Sequence, residues 1–354
     1  MSEHASQARP LHVEGDEEAV NSLYLERGWT DGLPIVAPTP ERVRAMVEAS
    51  GRKASEIIAE IPPRYNVATV ETIAINAVMA GCRPDYMPVV IAVVQAATED
   101  AFNLHGIQMT TSPVTPLIVV NGPIVKRIGM NSGPGVFGPG WRANATIGRA
   151  LRLIMLNVGA GTPGVMDRSA QGQPGKYTLC IAENEAASPW EPLHVEQGYR
   201  TDESVVTLFG ASQVISACDH TSQSAESMVN VLGGSMVHAG LNAPYFGGAA
   251  LFVLCPEHAN ILAKGGFTKQ TLREALFARA KLPRAPMNVS PDWLRLTRSH
   301  RPAQFADESK DFDVYVRPDD IHLVVAGGGG PHSSFAPNWS DAVNPVSRVI
   351  AVPD

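Results

Sequence analysis

Residues 249–266 read Ala-Ala-Leu-Phe-Val-Leu-Cys-Pro-Glu-His-Ala-Asn-Ile-Leu-Ala-Lys-Gly-Gly. An uninterrupted apolar run of strand length, Ala249 to Leu254, leads into Pro256, which suits the first position of a helix because its missing N–H has no intrahelical partner there. The Gly265-Gly266 pair ends that helix, and Thr268 caps a second one from Lys269 to Lys281. Strand followed by helix is the unit of α/β proteins, and a fully apolar strand is one buried on both faces.

Working outward, the order strand, proline, helix, glycine recurs at Val119-Val-Asn-Gly-Pro to Gly129. Together the two copies predict an α/β fold with mixed or parallel sheets, flanking helices and a pair of related lobes. Further strands are expected at Glu56–Ile61, Gly106–Thr111, Leu117–Val120, Tyr177–Ala182, Val205–Leu208, Gln213–Ser216, Ile321–Ala326 and Val346–Val352. Helices are expected from Thr39 to Ser50, Ala68 to Gly81, Pro84 to Glu99, Arg142 to Val158 and Ser222 to Ala239. The irregular stretch Ser188–Thr201 marks the boundary, giving a polar N-terminal arm (1–27), a first lobe (28–190) and a second lobe (191–354).

The 354 residues carry a net charge of −7, with 44% hydrophobic and 18% charged side chains. A chain of that make-up can bury a large core, and it lacks the basic excess that recruits nucleic acid or anionic membranes. The longest apolar run, Pro88 to Ala97, is too short to span a bilayer, and the start shows no apolar secretory segment. Four scattered cysteines without a Cys-x-x-Cys pair fit a reducing compartment, so a cytoplasmic enzyme acting on a small molecule, without nucleic-acid or membrane partners, is the expectation. A homo-oligomer is expected, and no cofactor is implied.

The strongest candidate site precedes the long helix. Arg142, Asn144 and Arg149 follow the loop Met130-Asn-Ser-Gly-Pro-Gly-Val-Phe-Gly-Pro-Gly-Trp, where free N–H groups and the helix dipole favour a carboxylate or phosphate. The alternative is that the arginines pair with acids on a neighbouring helix and Asn144 satisfies the loop backbone. Cys82, beside Arg83 at the start of a helix, has two reasons for a lowered thiol pKa and is a candidate nucleophile, against the alternative of inert core packing. Cys180 and Cys255 fall in apolar strands and are weaker candidates.

Cys218-Asp219-His220 ends a strand and precedes a helix, the place where open α/β sheets bind ligands. Neighbours in a strand point to opposite faces, so one site would take Cys218 with His220, or Asp219 alone; the plainer role of Asp219 is a helix cap. His105 lies before the strand Gly106–Thr111, and His332 follows the four-glycine run 327–330, which is read as a close backbone approach lining a site. His238 is expected to pack within a helix, His322 to alternate into a strand and His258 to face outward. Glu183 and Glu185 leave a strand end on one face, where they could share a proton or hold a cation, or form a solvated turn. No metal motif is present in local sequence, so a metal would need distant residues.

Taken together, DGLPIVAPT (31–39), AGCRPDYMPVV (80–90), FGPGWRANATIGRALRL (137–153) and VVAGGGGPHSS (324–334) resemble a bacterial family. Its members occur as companions or fusions of UGSC-motif proteins, relatives of the glycine, sarcosine and betaine reductase selenoprotein subunits. The resemblance runs over nearly the whole chain from Gly28. It implies a thiol or selenol partner protein and chemistry on a small carboxylate or amine. The chain has no Cys-Gly-Ser-Cys of its own. The resulting expectation is an enzyme that cleaves or adds across a C–N, C–C or C–S bond of an anionic substrate. In it Arg142, Asn144, Arg149, Glu183 and His332 bind substrate, and Cys82, His105, Asp219 and His220 act on it. The alternatives are a noncatalytic subunit completing a partner's site and a metal-assisted hydrolase or lyase using His105, Asp219, His220 or His332.

Overall fold

A computed structural model describes residues 11–222, 224–238, 240–284, 290–307 and 309–353. Its strands are β1 (Ile57–Ile61), β2 (Asn66–Thr69), β3 (Thr115–Asn121), β4 (Cys180–Ala182), β5 (Val205–Ala211), β6 (Ile215–Cys218), β7 (Ala250–Leu254), β8 (Lys281–Leu282), β9 (Phe312–Asp313), β10 (Ile321–Val325), β11 (His332–Pro337) and β12 (Val346–Val349). Two antiparallel pairs, β1-β2 and β8-β9, stand apart from two four-stranded sheets ordered β12-β5-β3-β4 and β10-β7-β11-β6.

The two sheets share one plan. Each has a single parallel pair, β3 with β4 and β7 with β10, and continues through antiparallel β5 and β12 or β11 and β6. In each half, strands one to three in chain order build the local sheet, and the fourth crosses to the other sheet. Thus β6 follows β5 after residues 212–214 yet joins β11, while β12 follows β11 and joins β5. The expected related lobes are therefore present as a topological repeat with exchanged fourth strands. The expected boundary near residue 190 does not follow the sheets, because β5 and β12 both belong to the first one.

The period-2 alternation of strand side chains sorts the core into layers. Leu117, Val119, Phe209, Leu251, Val253 and Val324 pack between the two sheets. Ile118, Val120, Val206 and Leu208 turn outward to helices Pro40–Ala49, Val70–Ala80, Met87–Ala97 and Arg142–Asn157. Phe252, Leu254, Leu323 and Val325 turn outward to Ala225–Ser235, Pro256–Lys264 and Lys269–Arg279. The result is a four-layer helix, sheet, sheet, helix arrangement. Among the described residues no helix is long and apolar enough to cross a membrane.

Local signals explain most elements. Thr39 and Thr268 accept from the N–H groups of Arg42 and Thr271 as helix caps, and Gly81 closes Val70–Ala80 at φ 90°. One expectation fails and two elements were not foreseen. Gly106–Thr111 is not a strand: Asn103, at φ 50°, caps the helix Leu104–Met109 by accepting from the Gly106 N–H at 2.9 Å. The N-terminal arm, of which residues 1–10 lie outside the described residues, contains a helix, Glu17–Glu26, capped by Asp16 and tied down by Asn21 Oδ1, which accepts from the Ile35 N–H at 2.7 Å. The run after the four glycines holds β11, the strand between β6 and β7 in the second sheet.

Candidate functional site

The parallel strands β7 and β10 end together at Leu254 and Val325. Cys255 follows directly and caps the helix Pro256–Lys264. Its N–H donates to Ser333 Oγ at 3.0 Å, and its Sγ is approached by the Ser333 hydroxyl at 3.6 Å and the His258 N–H at 3.5 Å. Ser333 Oγ also lies 2.8 Å from His258 Nδ1. With that nitrogen protonated, one arrangement links the three groups: Nδ1–H donates to Ser333 and the serine hydroxyl donates to Sγ, while His258 Nε2 is buried without a hydrogen-bond partner.

Burial alone would raise the Cys255 thiol, but hydrogen bonds from His258 and Ser333 outweigh it and hold the pKa below its ordinary value. Burial works against the His258 cation too, yet pairing with Cys255 and the nearby Asp219 raises its pKa. Thiolate and imidazolium thus stabilise each other. His258 was expected to face outward; it is fully buried, because the helix begins at Pro256 and its first turn rotates the ring under β11. Cys255, expected in an apolar strand, is instead the cap of that helix. A Cys-Pro-x-His spacing at a strand end was the signal that could have paired them.

On the other face of the same strand end stand Cys218, His220 and His332. Cys218 pairs with His332 across the β6–β11 ladder, and the His220 and His332 rings meet edge to face at 5.0 Å. All three are exposed, and a ligand atom from each lies within 4.8 Å of the others. Asp219 points away from them, its Oδ1 accepting from the N–H groups of Thr221 and Ser222 and its Oδ2 buried without a hydrogen-bond partner. The alternation expected of this triplet is observed. The glycine run makes the expected close approach: Gly327 N–H donates to Ser132 O at 2.8 Å, and a Cβ on Gly328 would sit 2.6 Å from Pro134.

A second polar cluster occupies the equivalent end of β3 and β4. The Asn121 amide donates to Glu183 Oε2 at 2.6 Å and Glu185 Oε1 at 3.1 Å, joining the two carboxylates. Glu183 also accepts from the Leu193 N–H at 2.8 Å, and burial raises its pKa. Glu183 is buried and Glu185 half-buried, so the pair does not form a fully solvated turn.

The remaining candidates are dispersed. Arg149 is held in a fork by Asp31 and also reaches Leu33 O and Pro34 O, while Arg142 Nε donates to Gly81 O. Asn144 clamps Asn131 by accepting from its N–H and donating to its carbonyl, at 2.8 and 2.9 Å. These side chains organise loops and do not converge on an open anion site: Asn144 satisfies the loop backbone as the alternative reading had it, whereas the acid that holds Arg149 lies in a turn and not on a helix, and Arg142 meets a carbonyl. Cys82 is buried and donates to Thr146 O; burial pushes its pKa up to about 12, opposite to the expected lowering. The helical segment after it opens at Pro84 as expected, but the thiol is turned back into the core. His105 stacks on Tyr65, with Nδ1 3.2 Å from the phenol oxygen, on a different element from the other candidates. His238 is exposed beyond the end of its helix at Ser235. His322 alternates into β10 as expected.

A cavity of about 800 Å³ is lined by Trp29, Val43, Asn76, Met79 and Asn157, among others, and by none of the reactive groups above. No protein-family model matches the chain, and no curated protein matches it.

Proposed function

We propose that the chain is a small-molecule enzyme in which Cys255 is the nucleophile and His258, acting through Ser333, takes and returns its proton. The observation that carries this reading is the continuous hydrogen-bonded path from Cys255 Sγ through Ser333 Oγ to His258 Nδ1 at the carboxyl end of the parallel strands. Attack by the thiolate forms an S–C bond while a C–N, C–C or C–S bond of the substrate breaks. The electron pair leaves with the departing group, which receives the proton held by His258, and water or a second thiol then releases the acyl or alkyl group from sulfur. The carboxylate-bearing character of the substrate, and a thiol or selenol partner protein, rest on the resemblance to the reductase companions. The arginines at the start of Arg142–Asn157 give them no support. A thiol that must stay reduced suits the cytoplasm.

The test is the pH dependence of Cys255 alkylation by iodoacetamide, read by mass spectrometry on the folded protein. The rate should rise through an inflection below that of an ordinary thiol, and His258→Gln should move the inflection upward. A Cys255 that stays unmodified until the protein unfolds, or an inflection indifferent to His258→Gln, ends this reading.

A further inference from the structure

We infer that Cys218, His220 and His332 form a zinc site, with the fourth coordination position open to solvent. The fold brings the three together from two strands and a loop. β6 delivers Cys218 at its last residue, β11 delivers His332 at its first, and these two are ladder partners, while His220 comes two residues beyond Cys218, on the same side. One thiolate and two imidazoles are the ligand types that zinc selects over magnesium and calcium, which favour oxygen.

The distances allow it. Tetrahedral zinc with Zn–S near 2.3 Å and Zn–N near 2.1 Å puts its ligand atoms about 3.5 Å apart. The three ligand atoms lie within 4.8 Å of one another on exposed side chains, so rotamer adjustment alone closes the gap. The two imidazoles meet edge to face at 5.0 Å, and the ladder pairing of His332 with Cys218 sets the cysteine beside them. Three protein ligands with one open position is the coordination of catalytic zinc, where the metal polarises a carbonyl or lowers the pKa of a bound water. The site goes beyond the thiol reading and is separable from it, because His332 and Ser333 are consecutive in β11 and project to opposite faces of the sheet.

The test uses the full chain stripped with chelator, then titrated with Co²⁺ alone as a spectroscopic stand-in for Zn²⁺. The expected result is saturation at one equivalent, with visible bands of tetrahedral intensity and a near-ultraviolet thiolate-to-cobalt band, all displaced by Zn²⁺. Cys218→Ser should abolish the near-ultraviolet band. His220→Gln and His332→Gln should each weaken Zn²⁺ binding by more than the roughly 10- to 100-fold that losing a supporting hydrogen-bond partner costs. Cys255→Ser should leave the spectrum unchanged, and circular dichroism of each metal-free variant reports whether it has folded. Failure to bind one equivalent, a thiolate band that persists in folded Cys218→Ser, or a band lost in Cys255→Ser overturns the assignment.

Discussion

Arg149 donates from Nε and Nη2 to the two carboxylate oxygens of Asp31, at 2.9 and 2.8 Å, across 118 positions of sequence. The same Nη2 lies 2.9 Å from Pro34 O. The pair fastens the Asp31-Gly-Leu-Pro turn to the long helix, and both side chains are largely buried. Arg149→Lys keeps the charge and loses the planar fork. It should lower stability by about 1–3 kcal/mol, read as a shift in denaturant midpoint, while Cys255 alkylation stays at the wild-type rate. Loss of Cys255 reactivity in a stable Arg149→Lys protein would return the arginine to the reacting centre.

Cys82 should be inert. Its thiol is buried, its proton is donated to Thr146 O, and its pKa is pushed up to about 12. Cys180 is buried beside it, with its pKa raised as well. Peptide mapping after iodoacetamide at pH 8 should therefore find Cys82 and Cys180 unmodified until denaturant is added, with exposed Cys218 labelled in the native state. Early labelling of Cys82 would show that its helix opens locally on the timescale of the reaction.

Much of the fold could be read in advance, for a physical reason. Strands such as β3 and β7 are buried on both faces and carry continuous apolar runs, and proline and glycine mark where the following helices begin and end. β11 was illegible because His-Ser-Ser-Phe-Ala-Pro has little intrinsic strand preference; it is held by ladder partners on both sides, which are tertiary facts. The site was half legible on the same grounds. The alternation of Cys218, Asp219 and His220 is local geometry and came out as expected, whereas the direction of His258 depends on one strand, β11, that the pattern did not disclose. A guanidinium at a helix start reads alike whether it awaits a ligand or already holds Asp31, since the partner lies far away in sequence.

Gly122 should tolerate no side chain. It sits at φ +87° just after β3, and a Cβ there would come within 2.2 Å of the Glu203 carbonyl oxygen, a backbone atom that cannot swing aside. Its N–H also donates to Glu185 at 2.7 Å, so displacement would disturb the cluster of Asn121, Glu183 and Glu185. Gly122→Ala should cost roughly 2–4 kcal/mol. Gly129, at φ +67° with nothing within 4 Å, separates backbone preference from crowding, and Gly129→Ala should cost only about 1 kcal/mol. Equal losses in the two variants would remove the steric argument.

His322 should make the fold acid-sensitive. Its ring meets Phe209 of β5 edge on at 5.1 Å, and burial, with the positive charge of Arg273 added, lowers its pKa to about 4. Glu196 and Asp319 pull the other way without offsetting this, because Glu196 is already paired with Lys269 and Arg273. The unfolded chain binds the proton near pH 6.5 and the folded chain only near 4, so between these values the unfolded state holds more protons and stability falls with acid. The contribution is fully present above pH 6.5 and, at about 1.4 kcal/mol per pH unit, amounts to about 2 kcal/mol lost by pH 5 and about 3 by pH 4. His322→Gln removes this titration while the carboxylates titrate as before. Denaturant unfolding of both proteins at pH 7.5 and pH 5 should show the wild type losing about 2 kcal/mol more than the variant. Parallel losses would mean that His322 is protonated in the folded protein and that its ring reaches water.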